Sequence, residues 1–167
     1  MRPRSHRLRQ RLASPLITFA MITGAVIPAP YAGKMPDADK RILAEMALQW
    51  AVSGGLSDVH LLKDPSHVIV SEANLPQNVT LRLRDRTVTV LSPKDIQQRA
   101  DGEGDFLYFK FGSFHHAKQR ASVGLSLVWA VAATSTTAYL SGGGATLEFQ
   151  KRDRRWELLP VANQWIS

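Results

Sequence analysis

The chain of 167 residues carries 21 basic and 14 acidic side chains, a formal charge of +7, and no cysteine. The missing cysteine excludes disulfides, thiolate metal sites, cysteine nucleophiles and lipid attachment to a cysteine. Residues 1–32 hold five of the basic side chains and none of the acids, leaving 16 against 14 in the remainder, so the basicity that would suggest nucleic acid belongs mostly to one segment and no nucleic-acid partner is expected.

That segment is the first element. Arg2, Arg4, Arg7, Arg9 and Arg11 precede an apolar run from Leu12 to Ala32. A basic start, a core from Leu16 to Ile27 and small residues after it are the layout of an export signal, which places the working protein in the periplasm or outside a bacterial cell. The expected cut follows Ala32, with Ala25 as a second position; Pro30 disfavours cleavage after Ala29. An uncleaved membrane anchor is the alternative, against which Pro15, Pro28 and Pro30 shorten the usable helix. The expected organisation is a signal peptide over 1–32 and a single soluble domain over 33–167.

Asp37 and Asp39 then stand before Ile42, Leu43, Met46, Ala47 and Trp50, which recur at helical spacing up to a stop at Gly54-Gly55. An amphipathic helix of about four turns is expected. His67–Ser71, Val79–Leu83 and Thr87–Leu91 read as short strands, the second alternating Val79, Leu81 and Leu83 with Thr80 and Arg82. Ser92-Pro93-Lys94-Asp95 joins an N-cap serine, a proline at the first helical position and an acid at the third, predicting a helix over Pro93–Ala100 closed near Gly102.

Strands follow at Phe106–Phe111, Ala121–Ala132, Thr137–Leu140, Ala145–Lys151 and Trp156–Ile166. Val123, Leu125, Leu127, Trp129 and Val131 share one face of the longest; Leu147 and Phe149 point inward on a later one, with Glu148 and Gln150 outward. Asp153-Arg154 marks a hairpin turn without the usual glycine. Helices first and strands later give an α+β fold, an N-terminal helix and a short second helix packed on a curved antiparallel sheet.

The order of elements resembles the nuclear transport factor 2-like superfamily, the cone-shaped α+β group. The closing residues, Tyr139-Leu140-Ser141-Gly142-Gly143-Gly144, Leu147-Glu148-Phe149, Arg155-Trp156 and Trp165-Ile166-Ser167, resemble a set of exported bacterial proteins with this tail. The resemblance covers residues 37–167 as a pattern and only the tail as a motif. Isomerases, dehydratases, hydrolases, ligand carriers and interaction modules share that fold, so it implies architecture more than function. Isomerases of the superfamily use acids and a tyrosine inside the cone, and no residue of this chain is matched to them.

Candidate chemistry is sparse. Asp58 and His60, with His67 nearby, are spaced to share one side of an extended segment, and a general base would need one of them in a pocket; capping or loop roles are the plainer use. His115 and His116 are adjacent, so both could reach one metal only from a loop, and no metal or cofactor is expected. No nucleophile elbow or phosphate loop occurs. Gly142-Gly143-Gly144 reads as a turn, or as a place where backbone approaches closely. Arg82, Arg84 and Arg86, and Lys151, Arg152, Arg154 and Arg155, read as a solvated outer face, with lipid headgroups or cell-wall polyanions as the alternative.

Trp50, Trp129, Trp156 and Trp165 are expected in the core. Phe109, Phe111, Trp129 and Tyr139 are the candidates to line a ligand cavity in the cone. The expected function is therefore an exported domain binding a small apolar ligand or another envelope protein, with self-association into a homodimer through the sheet as a further use. The alternative is a cofactor-free isomerase or hydrolase acting through an acid or histidine in the cavity. An ionisable group facing a pocket, Asp58, His60, His115 or another acid, separates the two.

Overall fold

Residues 34–139, 142–161 and 163–166 are described by a computed structural model; the expected leader, Gly33, Leu140, Ser141, Ala162 and Ser167 lie outside them. Helix α1 (Asp37–Trp50) has Asp37 and Asp39 in its first turn, where carboxylates suit the positive end of the helix dipole. Its buried residues are Leu43, Ala44, Ala47 and Leu48, so the inward face is turned from the expected one. Ile42 is 37% exposed, and Met46 and Trp50 only half-buried. Hydropathy alone favours the larger side chains, but alanines at the contact let the helix backbone lie closer to the sheet. A wide turn (Ala51–Gly55) ends the helix. There Gly54 takes φ 99°, a left-handed conformation open to glycine at little cost, and Gly55 lies under the Trp50 indole where a Cβ would overlap the ring.

A short 3₁₀ turn (Ser57–Leu61) leads to strand β1 (His67–Ser71), and β2 (Thr87–Leu91) lies parallel to it in full register. Helix α2 (Pro93–Glu103) starts as expected: the Asp95 N–H donates to Ser92 Oγ at 3.1 Å and the hydroxyl donates to the Asp95 carboxylate at 2.7 Å. It runs past Gly102 and stops at Gly104, whose φ of 84° is left-handed. Four antiparallel neighbours follow: β3 (Phe106–Ala117), β4 (Arg120–Ala130), β5 (Gly143–Arg152) and β6 (Arg155–Leu158). The last strand, β7 (Asn163–Ile166), shares the β5 edge with β6.

The spatial order is β2-β1-β3-β4-β5-β6, with β1 parallel to both neighbours. The fold is α+β, two helices on a strongly curled mixed sheet shaped as a half-barrel. The expected antiparallel sheet is corrected to a mixed one because β1 and β2 are joined by a long crossover rather than a hairpin, a connection that parallel pairing requires. The β3/β4 register shifts between Phe111 and Phe114, a bulge of the kind that bends a strand. This bulge turns Phe114 back to the side of Phe111, and the two ring centroids lie 5.4 Å apart.

Three expected strands differ. Val79–Leu83 is not in the sheet: Leu81 is buried and Val79 and Leu83 are half-buried, but the Arg82 and Arg84 N–H groups donate to Glu45 Oε1 and Gln49 Oε1 of α1. The alternation reported an extended chain with one side covered, and helix side chains take the place of a neighbouring strand. Thr137–Tyr139 is loop. Trp156–Ile166 is two strands, interrupted at Pro160, which has no N–H to give a ladder.

The core fills the concave side under α1. Phe109, Phe111, Phe149, Leu125, Leu127, Leu147 and Val123 are fully buried there against Leu43 and Leu48. A second, smaller cluster of Ile69, Ile96, Ala100, Phe106 and Ala130 lies beneath α2 on the other side of the sheet.

Candidate functional site

Alternation along β3 and β4 decides which expected site residues can meet a ligand. Phe109 and Phe111 face the concave side and are completely buried in the main core. Trp129 is half-buried at the end of the same face, and Tyr139 lies flat against it with ring centroids 4.0 Å apart and planes 16° from parallel. Of the four, two are packed core and two cover one another.

Tyr139 is held by a loop built around two acids. Asp105, just before β3, accepts from the Ala132 N–H at 2.7 Å and from Ser135 Oγ at 2.6 Å, and Asp101 of α2 accepts from the Ala133 N–H at 2.8 Å. The Ser135 hydroxyl and the Ala132 N–H stabilise the Asp105 carboxylate and lower its pKa, with a further hydrogen bond from Tyr139. The same bond to Asp105 raises the Tyr139 phenol. An ionised carboxylate thus anchors residues 131–139 across the end of β4.

Asp58, His60 and His115 are not brought together. Asp58 sits in the 3₁₀ turn with Oδ2 near the start of β5, 3.8 Å from where a Cβ on Gly143 would stand. His60 is exposed and donates through Nδ1 to the Ser57 carbonyl at 2.6 Å. His115 lies opposite Ser122 of β4, itself opposite Glu148 of β5. Five residues of β5 separate Glu148 from Gly143, about 17 Å of strand. His116 turns the other way, its ring edge-on to Trp156 at 6.1 Å. Among the described residues, no three His, Asp or Glu side chains are placed to hold a metal ion.

A cleft of about 200 Å³ lies between the end of α2, the approach to β1 and the start of β3. Leu62, Ile69, Phe106 and Leu107 form its apolar wall, and Lys63, Asp64, His67, Arg99 and Glu103 its polar wall. Each polar group is oriented by a neighbour. Arg99 Nε donates to Glu103 Oε2 at 2.9 Å and its guanidinium lies 5.8 Å from the Phe106 ring centroid. Lys63 Nζ donates to the Glu103 carbonyl at 3.1 Å, and His67 Nε2 is hydrogen-bonded to Thr89 Oγ1 at 2.7 Å.

Asp64 accepts from the Ser66 hydroxyl at 2.6 Å and from the Ser66 N–H at 2.8 Å. Those bonds lower its pKa, making it a poor proton acceptor. Arg86 braces the back of this region by donating to the Pro65 carbonyl at 2.6 Å and the Val52 carbonyl at 3.1 Å. It is a clamp between two loops, whereas Arg82 and Arg84 are exposed, as expected of an outer face.

Only His67 of the cleft was singled out by sequence. Asp64-Pro65-Ser66, a side-chain-capped turn, and the Arg99/Glu103 pair one helical turn apart carried usable signals. Their convergence spans residues 62 to 107 and is set by packing.

A second polar cluster lies at the far end of the strands. Asp39 of α1 accepts from Trp156 Nε1 at 2.9 Å and from Lys151 Nζ at 3.1 Å. Burial alone would raise its carboxyl, but those hydrogen bonds and the Lys151 charge outweigh it and lower the pKa. Trp156 is buried as expected, Trp50 and Trp129 are half-buried, and Trp165 is 42% exposed over Gly144. The glycine run is explained by close approach: a Cβ on Gly142 would strike the Leu127 carbonyl, and one on Gly144 the Trp165 indole.

Among the described residues no helix is long and apolar enough to cross a membrane. Compared with protein-family models, curated proteins and solved structures, the chain matches none.

Proposed function

We propose that this chain is an exported, cone-shaped domain of nuclear transport factor 2-like architecture that binds rather than catalyses, and that the cleft beside α2 takes a small amphipathic ligand. The carrying observation is the filling of the concave face: Phe109, Phe111, Phe149 and the leucines of β4 and β5 occupy the volume where a cone would hold a substrate. The cleft supports binding through an apolar wall beside fixed polar groups. Its carboxylates serve structure, Asp64 capping a turn and Glu103 pairing with Arg99. The basic leader ahead of the domain supports export.

Native mass spectrometry of the chain purified from the cell envelope tests this reading. The expected result is a co-purifying small molecule on the wild type that is missing from Ile69→Trp, which fills the cleft. A wild-type protein carrying no added mass, or one whose added mass survives in Ile69→Trp, removes the cleft as the binding place. The same spectrum reports whether Met1 is retained, and retention would remove the cleaved leader.

A further inference from the structure

The turns joining β3 to β4 and β5 to β6 lie side by side. Arg120 is opposite Gln150, the Lys151 N–H donates to the Gln119 carbonyl at 2.7 Å, and Arg152 is opposite Arg155. Over residues 117–120 and 150–155 the cations are Lys118, Arg120, Lys151, Arg152, Arg154 and Arg155, and the only acid is Asp153. Lys151 is paired with Asp39, and Arg152 with Glu157 at 3.7 Å. Lys118, Arg120, Arg154 and Arg155 are exposed, and none forms an ion pair among the described residues.

Residues 34–167 hold sixteen basic and fourteen acidic side chains, so the two turns carry more net positive charge than the whole domain and the rest is net negative. Asp64, Asp95, Asp101, Glu103 and Asp105 outnumber Lys63, Lys94 and Arg99 around α2 and the start of β3, about 35 Å away along the strand. The domain is therefore electrically polar along its strands.

The first turn of α1 is also at the basic end. Asp39, in the first turn of α1, touches Lys151 and Trp156, so the start of α1 lies beside the two turns. We infer that this end of the domain lies against an anionic phospholipid surface, with the two basic turns at the headgroups and the α2 cleft facing away. Charge polarity sets this orientation. Nucleic acid fits less well: bases need exposed aromatic faces to stack on, and the nearest aromatic residue, Trp156, is buried. The inference goes beyond the binding reading and rests on it only in taking the chain to be exported to the cell envelope.

The test is co-sedimentation of the full chain with vesicles of phosphatidylcholine alone and vesicles containing phosphatidylglycerol. The wild type should prefer the anionic vesicles and lose that preference as salt is raised. Arg154→Gln with Arg155→Gln should weaken binding to the anionic vesicles about 25-fold, roughly fivefold per charge, and leave binding to neutral vesicles unchanged. Lys118→Gln with Arg120→Gln in the neighbouring turn should do the same, whereas Arg84→Gln with Lys94→Gln elsewhere on the surface should have no effect. Anionic binding that survives both turn variants, falls equally on neutral vesicles, or falls equally with the control pair overturns the inference. So does a loss confined to single-stranded oligonucleotide binding. The mass of the purified chain reports the fate of the leader separately, so the two ideas fail independently.

Discussion

The two faces of the curled sheet are made by alternate residues of the same strands and are finished differently. On the concave side, Phe109 and Phe111 of β3, Val123, Leu125 and Leu127 of β4 and Leu147 and Phe149 of β5 form an unbroken apolar layer that α1 closes. On the other side stand Lys110, Gly112, Ser122, Gly124, Ser126, Thr146 and Glu148, and α2 covers only the end carrying Ile69, Phe106 and Ala130. Large side chains on one side and small or polar ones on the other let one helix seal a core. The shorter helix leaves a cleft. The main core thus lies on the face closed by α1, and the recess lies beside the smaller cluster.

Truncation should separate the faces most clearly. Phe109→Ala should cost about 3–5 kcal/mol, since a completely buried ring is lost from a core that cannot fully collapse, and Ile96→Ala beneath α2 about 2 kcal/mol. Urea unfolding of both variants measures the difference, and equal costs would break the comparison. The glycine run offers the next test. Gly142→Ala places a methyl against the Leu127 backbone and should cost about 1–3 kcal/mol. Gly144→Ala should cost less because its obstacle is a partly exposed indole that can swing away, a movement that would shift Trp165 emission.

At α2 the expected loss is smaller. Ser92→Ala removes the hydroxyl that accepts from the Asp95 N–H and should cost about 1 kcal/mol by thermal unfolding, with the concave core unaffected. The smallest effect is one of pH. The Asp39 pKa is depressed in the folded chain, so its contribution is fully present above the unfolded carboxylate value and fades as pH falls through the lower folded value. Asp39→Asn should lower stability modestly near neutrality and converge with the wild type in acid, so that the limb below about pH 4 is flatter. An unchanged acid limb would show that the contacts with Lys151 and Trp156 add nothing to stability.

How legible these features were depended on how local their causes are. The inward residues of β4 and β5 and the serine cap of α2 were readable, because alternation and capping involve neighbours in sequence. The Asp153-Arg154 turn was readable as well; both residues take positive φ, 46° and 66°, and the strand pairing on either side holds them there without glycine. The buried face of α1 was misplaced at Ile42, because closeness of approach selected Ala44 and Ala47. Val79–Leu83 showed the right alternation with the wrong partner. At the site, His67 could be picked out as an ionisable residue, but Arg99 and Glu103 read only as a helix ion pair until the fold set them beside it. Asp105, which anchors residues 131–139, gave no signal, since its partners lie 27 and 30 residues away.

By itself the sequence determined the basic start and apolar run of residues 1–32, the absence of cysteine, the α+β class and the buried side of β4 and β5, all of which follow from composition or from periodicity over a few residues. Only the tertiary structure decided that β1 and β2 run parallel, that the concave face is filled, that the recess lies beside α2 and that six cations from two distant turns share one end of the molecule. Those outcomes depend on which surfaces meet across tens of residues, and that is fixed by the volume, charge and hydrogen-bonding needs of the assembled chain.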